Sequence, residues 1–144
     1  MRQMTTLTLL ILATLLWGVW GIADKYAVGS AHPFSVQWMY TLPFLFAMPL
    51  WYWLGRNAQP ETNQDPTALA WAVVAGLASM FAMLLLLFAL QRKPASLAVA
   101  FTSAYPVVTL FIAVLLGAEK ITLLKAGGML LVLAGLFVLQ WSEG

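Results

Sequence analysis

The side chains able to do chemistry are few and of few kinds. The 144 residues include seven Lys and Arg, five Asp and Glu, one His and no Cys. Without cysteine there is no disulfide, thiolate metal site or cysteine nucleophile, and a lone His32 cannot build a multi-histidine metal site. Two charged pairs stand out, Asp24-Lys25 and Glu119-Lys120. Adjacent residues on a helix point about 100° apart, so neither is an ion pair in itself. Glu119 can instead meet Lys125 across a tight turn and anchor it. His32 reads as an interfacial loop residue rather than a proton carrier. With no acid–base pair at depth, no metal cluster and no nucleophile beside a base, no enzyme and no cofactor are expected.

The remaining polar chemistry is hydroxyl, aromatic and backbone. Ala95, Ala98, Thr102, Tyr105, Pro106 and Thr109 recur every three or four residues, a small and polar stripe on an otherwise Val/Leu/Phe helix. Pro106 also leaves one backbone carbonyl without its donor, which lipid cannot replace. Thr14, Trp17, Gly18 and Gly21 share a second face that ends near Lys25. With Gln37 and Tyr40 of the next helix, these two faces are expected to line a pathway for a small molecule, with Lys25, Pro106 and Glu119 in structural or gating roles. Small stripes also let membrane helices pack closely, and Thr often bonds its own backbone, so packing remains the competing reading. Gly127, Gly128 and Gly135, and likewise Ala72, Gly76 and Ser79, read as packing surfaces. Met80 and Met83 read as adaptable filler.

Composition dictates what must position these residues. The chain is 62% hydrophobic and 8% charged, with a mean hydropathy of +0.89. A water-soluble domain carries about a quarter charged residues, so soluble and disordered classes are excluded. Runs of roughly 20 apolar residues mark membrane spans at about 5–23, 34–54, 67–90, 95–117 and 121–141. Lipid cannot hydrogen-bond exposed backbone, so the spans must be helical, and the long unbroken runs do not alternate as barrel strands do. In the last span eleven residues are Leu, Ile, Val or Phe, each favouring insertion by about 0.3 to 0.6 kcal/mol, while Lys125 snorkels from near its end.

The links carry turn chemistry. Gly29–Pro33 separates the first two spans, and Gly55–Pro66 is the long polar loop, with Asp65 placed to cap the third helix and Pro66 at its first position. The remaining links, 91–94 and 117–120, are short enough to force antiparallel neighbours. Every ionisable residue is expected at or near a span end, which argues against a proton relay at depth. Gly21-Ile22-Ala23 could mark a signal cleavage site, but the apolar run before it is long and retention is expected. Trp51, Tyr52, Trp53, Trp71 and Trp141 fit interfacial belts.

Five spans put the termini on opposite sides. One side holds Arg2, Arg56, Lys120 and Lys125 and the other Lys25, Arg92 and Lys93, so the positive-inside rule barely orients the chain. A chain that inserts both ways could pair with an inverted copy of itself; a single orientation is the plainer alternative.

Trp17-Gly18, Ile22, Lys25 and Pro33, followed by Ala89-Leu90, Pro94-Ala95-Ser96, Pro106-Val107, Thr109, Gly117, Glu119, Thr122, Gly128 and Ala134-Gly135, stand in an order that resembles an EamA-type domain of the drug/metabolite transporter superfamily. The resemblance covers essentially the whole chain. It implies an all-α membrane protein of five transmembrane helices, half of a ten-helix inverted-repeat architecture that many relatives complete in one chain. The chain would then need a homodimer partner, possibly antiparallel, or a related small subunit. Tyr40 stands where family members often carry arginine. Ala13–Trp17 lacks the mid-helix glutamate of the small multidrug-resistance branch, so proton-coupled cation export by that route is not implied.

The function expected is a small secondary transporter of the cell membrane, moving an uncharged or zwitterionic solute by alternating access. A lipid-linked sugar flippase subunit and a non-transporting assembly subunit are the alternatives. Lipid and a small-molecule substrate are the expected partners, and nucleic acid is not.

Overall fold

The computed structural model describes residues 6–58 and 65–142 and is all-helical among them. Six helical segments run α1 (Thr6–Ser30), α2 (Pro33–Ala58), α3 (Pro66–Arg92), α4 (Ala95–Thr102), α5 (Tyr105–Leu115) and α6 (Leu123–Trp141). By length and apolar composition α1, α3, the α4–α5 segment Ala95–Leu115 and α6 can each cross a membrane. α2 has the length, at 26 residues, but Pro43, Pro49, three tryptophans and several polar residues dilute its apolar character. The expected loop residues 59–64 and Arg2 lie outside the described residues.

Two expectations of extent are corrected. α1 runs to Ser30 rather than ending near residue 23. The helix is not interrupted at Asp24-Lys25 because Asp24 is buried against neighbouring helices and the Lys25 ammonium donates to the Leu90 carbonyl at 2.5 Å. Asp24 therefore sits six residues, about 9 Å, before the helix end. The second correction concerns the fourth span, which breaks at Ser103-Ala104. Pro106 cannot donate to the Thr102 carbonyl, and the chain tightens around the loss: Ala104 N–H bonds Phe101 at 3.1 Å and Val107 N–H bonds Ala104 at 3.0 Å, both three residues back.

The chain forms two compact units, residues 1–92 and 93–144. In the first, α3 packs against α1 and α2. Its buried side chains are Val28, Pro33, Leu86, Leu87 and Leu90, beside Gly21 and Asp24. They gather at the α1–α2 corner and the last turns of α3. Along α1 from Thr6 to Val19 and α3 from Pro66 to Ala82, by contrast, every residue is exposed. The corner is held by His32, which caps α2: its ring Nδ1 accepts from Phe34 N–H at 3.3 Å, and the ring stacks near Phe34 and Phe88. Asp65 caps α3 as expected, accepting from Thr67 N–H at 2.9 Å, with Pro66 in first position.

In the second unit α4 packs on α6, and Leu97, Ala98 and Leu136 are buried. α5 ends where Gly117 turns to φ +70°. Gly117 N–H bonds Val114 and Ala118 N–H bonds Ala113, the pair of bonds that closes a Schellman cap. Thr122 then caps α6, its hydroxyl accepting from Lys125 N–H at 3.2 Å.

Among the described residues of each unit, the small-residue stripes leave open space at their glycines. A Cβ added at Gly76, Gly127, Gly128 or Gly135 would meet nothing within 4 Å, and Ala72 and Ser79 are exposed.

Candidate functional site

Among the described residues, one cluster of polar side chains stands out in each unit. In the second unit the turn between α5 and α6 folds Glu119 back toward the first turns of α6, where Lys125 meets it at 2.5 Å. The capped ends on both sides fix this geometry: Gly117 sets the exit from α5, and Thr122 sets the entry to α6. Both side chains remain nearly half exposed, at 43% for Lys125 and 46% for Glu119. The pair borders a groove of about 360 Å³ lined also by Tyr105, Pro106, Thr109, Leu110 and Met129. That volume falls within the range of small-molecule sites, about 300–1,000 Å³.

The helix break positions the groove's aromatic wall. Pro106 lies in the first turn of α5, where its missing N–H costs least, and Tyr105 stands at the head of that turn. Thr109 follows one turn later, its hydroxyl donating to the Tyr105 carbonyl at 3.1 Å. Its oxygen still has lone pairs for an incoming donor. The groove therefore offers a carboxylate, an ammonium, hydroxyl oxygens and apolar contact from Leu110 and Met129, with zero net charge from its ion pair.

In the first unit the α1–α2 face carries the other cluster. Asp24 is 4% exposed. Tyr40 stands beside Trp20 and within electrostatic reach of Asp24. Gln37 lies one turn before Tyr40 on α2, and Trp20 one turn before Asp24 on α1. Trp20 Nε1, Asp24 Oδ2 and Gln37 Oε1 are buried without a hydrogen-bond partner.

The expected site residues thus divide. Tyr105, Pro106, Thr109 and Glu119 come together at the groove. Gln37 and Tyr40 join the buried cluster. Lys25 bridges α1 to the end of α3. Thr14 is exposed and donates to Leu10 O at 2.9 Å; Thr102 donates to Val99 O at 2.9 Å. Trp17 is exposed and lies 6.5 Å from the Trp20 ring, and a Cβ at Gly18 would meet nothing. Asp24, Trp20 and Lys125 were not among the expected site residues. Gly21, Asp24 and Val28 recur at three and four residues, the period of a buried helix face, and that signal marks Asp24 as inward-facing.

Among the described residues no group of three or more His, Cys, Asp or Glu could hold a metal ion. The model of the EamA-like transporter family matches residues 4–141. The chain belongs to the EamA-like transporter family. It is an integral, multi-pass membrane protein of a family of transporters rather than enzymes. No curated protein and no solved structure matches it.

Proposed function

We propose that this EamA-like chain is a small secondary transporter that moves an uncharged or zwitterionic solute by alternating access. The observation that carries the reading is the Glu119–Lys125 pair bordering the groove beside Tyr105 and Thr109. A zwitterion can trade places with the pair, its ammonium meeting Glu119 and its carboxylate meeting Lys125, so charge stays balanced throughout. A lone cation or anion leaves one member unpaired, which costs more as water is excluded. An uncharged polar solute is served by the Tyr105 and Thr109 hydroxyls. The break at Ser103-Ala104 supplies a place where the helix can bend as the groove opens and closes.

One five-helix chain exposes long apolar faces and open glycine surfaces. This supports a working unit of two chains, either a homodimer, parallel or antiparallel, or a pair with a related small subunit, in the cell membrane.

The test is uptake by purified protein in lipid vesicles, with a panel of neutral, zwitterionic, cationic and anionic solutes. Saturable flux of net-neutral solutes is expected. Tyr105→Ala should cut it about tenfold, equivalent to roughly 1.4 kcal/mol of lost contact. Translocation of a lipid-linked sugar without soluble-solute flux would favour a flippase subunit. No flux of any kind would favour a non-transporting assembly subunit.

A further inference from the structure

The groove of the second unit has a definite place in the bilayer. The segment Ala95–Leu115 and α6 can each cross a membrane, so the turn that joins them lies at one face. After Gly117 the chain doubles back. Ala118 N–H and Glu119 N–H both bond the Ala113 carbonyl, at 2.8 and 3.2 Å, which holds Glu119 beside the last turn of α5 rather than beyond it. Lys125 stands in the first turn of α6. The ion pair therefore lies just inside the face, within reach of the headgroups. Tyr105, on the groove's wall, stands ten residues before Leu115, about 15 Å along the helix. Half the hydrocarbon thickness is also about 15 Å. The lining thus runs from headgroup depth to mid-membrane, the length of one leaflet.

The chemistry changes along that length. Charge is confined to the Glu119–Lys125 end, while Leu110 and Met129 supply apolar wall. Phe111 and Leu130, next to these two in sequence, are exposed, so within its unit the groove opens among apolar surface. A small soluble zwitterion meets the charged end and covers little of that wall. A phospholipid matches both. A headgroup with a primary ammonium brings N–H donors to Glu119 and a phosphate to Lys125, which keeps charge balanced, and an acyl chain lies over Leu110 and Met129. A choline headgroup has no N–H to give Glu119. Because the pair is nearly half exposed, parting it to admit a headgroup costs little.

We propose that the α5–α6 groove, with a carboxylate–ammonium pair at its headgroup end and an apolar wall toward mid-membrane, binds a phospholipid whose headgroup carries a primary ammonium. The lipid enters sideways from its leaflet, and an arriving solute must displace it. Only that displacement rests on the transport reading; the lipid site itself does not.

The test uses the full chain in phosphatidylcholine vesicles that contain a small share of a phospholipid with a photoactivatable group in its acyl chain. The probe carries either an ethanolamine or a choline headgroup, and labelled residues are mapped by peptide mass spectrometry. Labelling between residues 105 and 129 should be about tenfold greater with the ethanolamine probe. Glu119→Gln, checked for folding by its helical content, should bring the two probes to equal labelling. Equal labelling in the wild-type chain, or a preference that Glu119→Gln leaves intact, would overturn the proposal. So would displacement of the ethanolamine probe by water-soluble glycerophosphoethanolamine, which would make the ligand a soluble zwitterion rather than a lipid. A protein that prefers the ethanolamine probe but moves no solute keeps the lipid site and loses the transport reading; one that moves solute and labels equally with both probes does the reverse.

Discussion

The two polar clusters of this chain solve opposite problems. At the α1–α2 face the polar atoms are sealed and unpartnered, Asp24 being 4% exposed. At the α5–α6 turn they are paired and wet, Lys125 and Glu119 being 43% and 46% exposed. A sealed, unsatisfied cluster has no room for a solute and gains from any change that supplies a donor or water. A paired, exposed one stands ready to exchange partners with an arriving molecule at little cost. Burial, more than residue type, sets the two acids apart.

The largest effects should come from the packed corner of the first unit. Leu90 is fully buried and Leu131 is 75% exposed. Leu90→Ala should destabilise the chain by about 2–5 kcal/mol, whereas Leu131→Ala should stay near zero. Unfolding of the reconstituted protein by detergent titration measures both, and equal effects would erase the contrast in packing between the two regions.

Next in size is Lys25→Met, which removes the ammonium from the Leu90 carbonyl. A hydrogen bond from a charged donor is worth about 1.5–3 kcal/mol. The same titration should show a loss of about that size, with hydrogen exchange rising in the last turn of α3. Unchanged exchange there would remove Lys25 from the corner.

Gly117→Ala sharpens the other side. The φ of +70° that turns the chain out of α5 is left-handed, and a side chain there costs about 1 kcal/mol. Stability should fall by that amount, and spin labels on cysteines introduced at positions flanking the turn, with Glu119 left in place, should report greater mobility. The smallest effect is expected from exchanging the charges, Glu119→Lys with Lys125→Glu. An exposed pair is worth about 0–1 kcal/mol, so stability should barely move in the double variant, while each single change alone costs more than the two together.

Much of this arrangement is legible in the sequence. Span-length apolar runs locate the helices, and Asp65-Pro66 marks the start of α3. The distance from Glu119 to Lys125 foretells their meeting across the turn. The stripe at Tyr105, Pro106 and Thr109 leads to the groove. Less legible is the effect of Pro106, which announces a missing donor but not that the chain will answer it with a break at Ser103-Ala104. Asp24 is hidden by its neighbour: an acid next to a lysine after an apolar run looks like the end of a span. Only the tertiary contacts that bury Asp24 and carry Lys25 to Leu90 keep the helix going. Thr14 and Thr102 show the opposite failure, since an expected lining hydroxyl can spend its hydrogen on its own helix.

The central claim is that the α5–α6 groove receives a solute through a balanced pair of charges. Its most direct test is vesicle uptake of three solutes sharing one carbon skeleton, a zwitterion, its amine and its acid, by the wild-type chain and by Lys125→Gln. The wild type should prefer the zwitterion, and Lys125→Gln, which leaves Glu119 alone, should shift preference toward the amine by about tenfold. An order of preference that is the same in both proteins would contradict the claim.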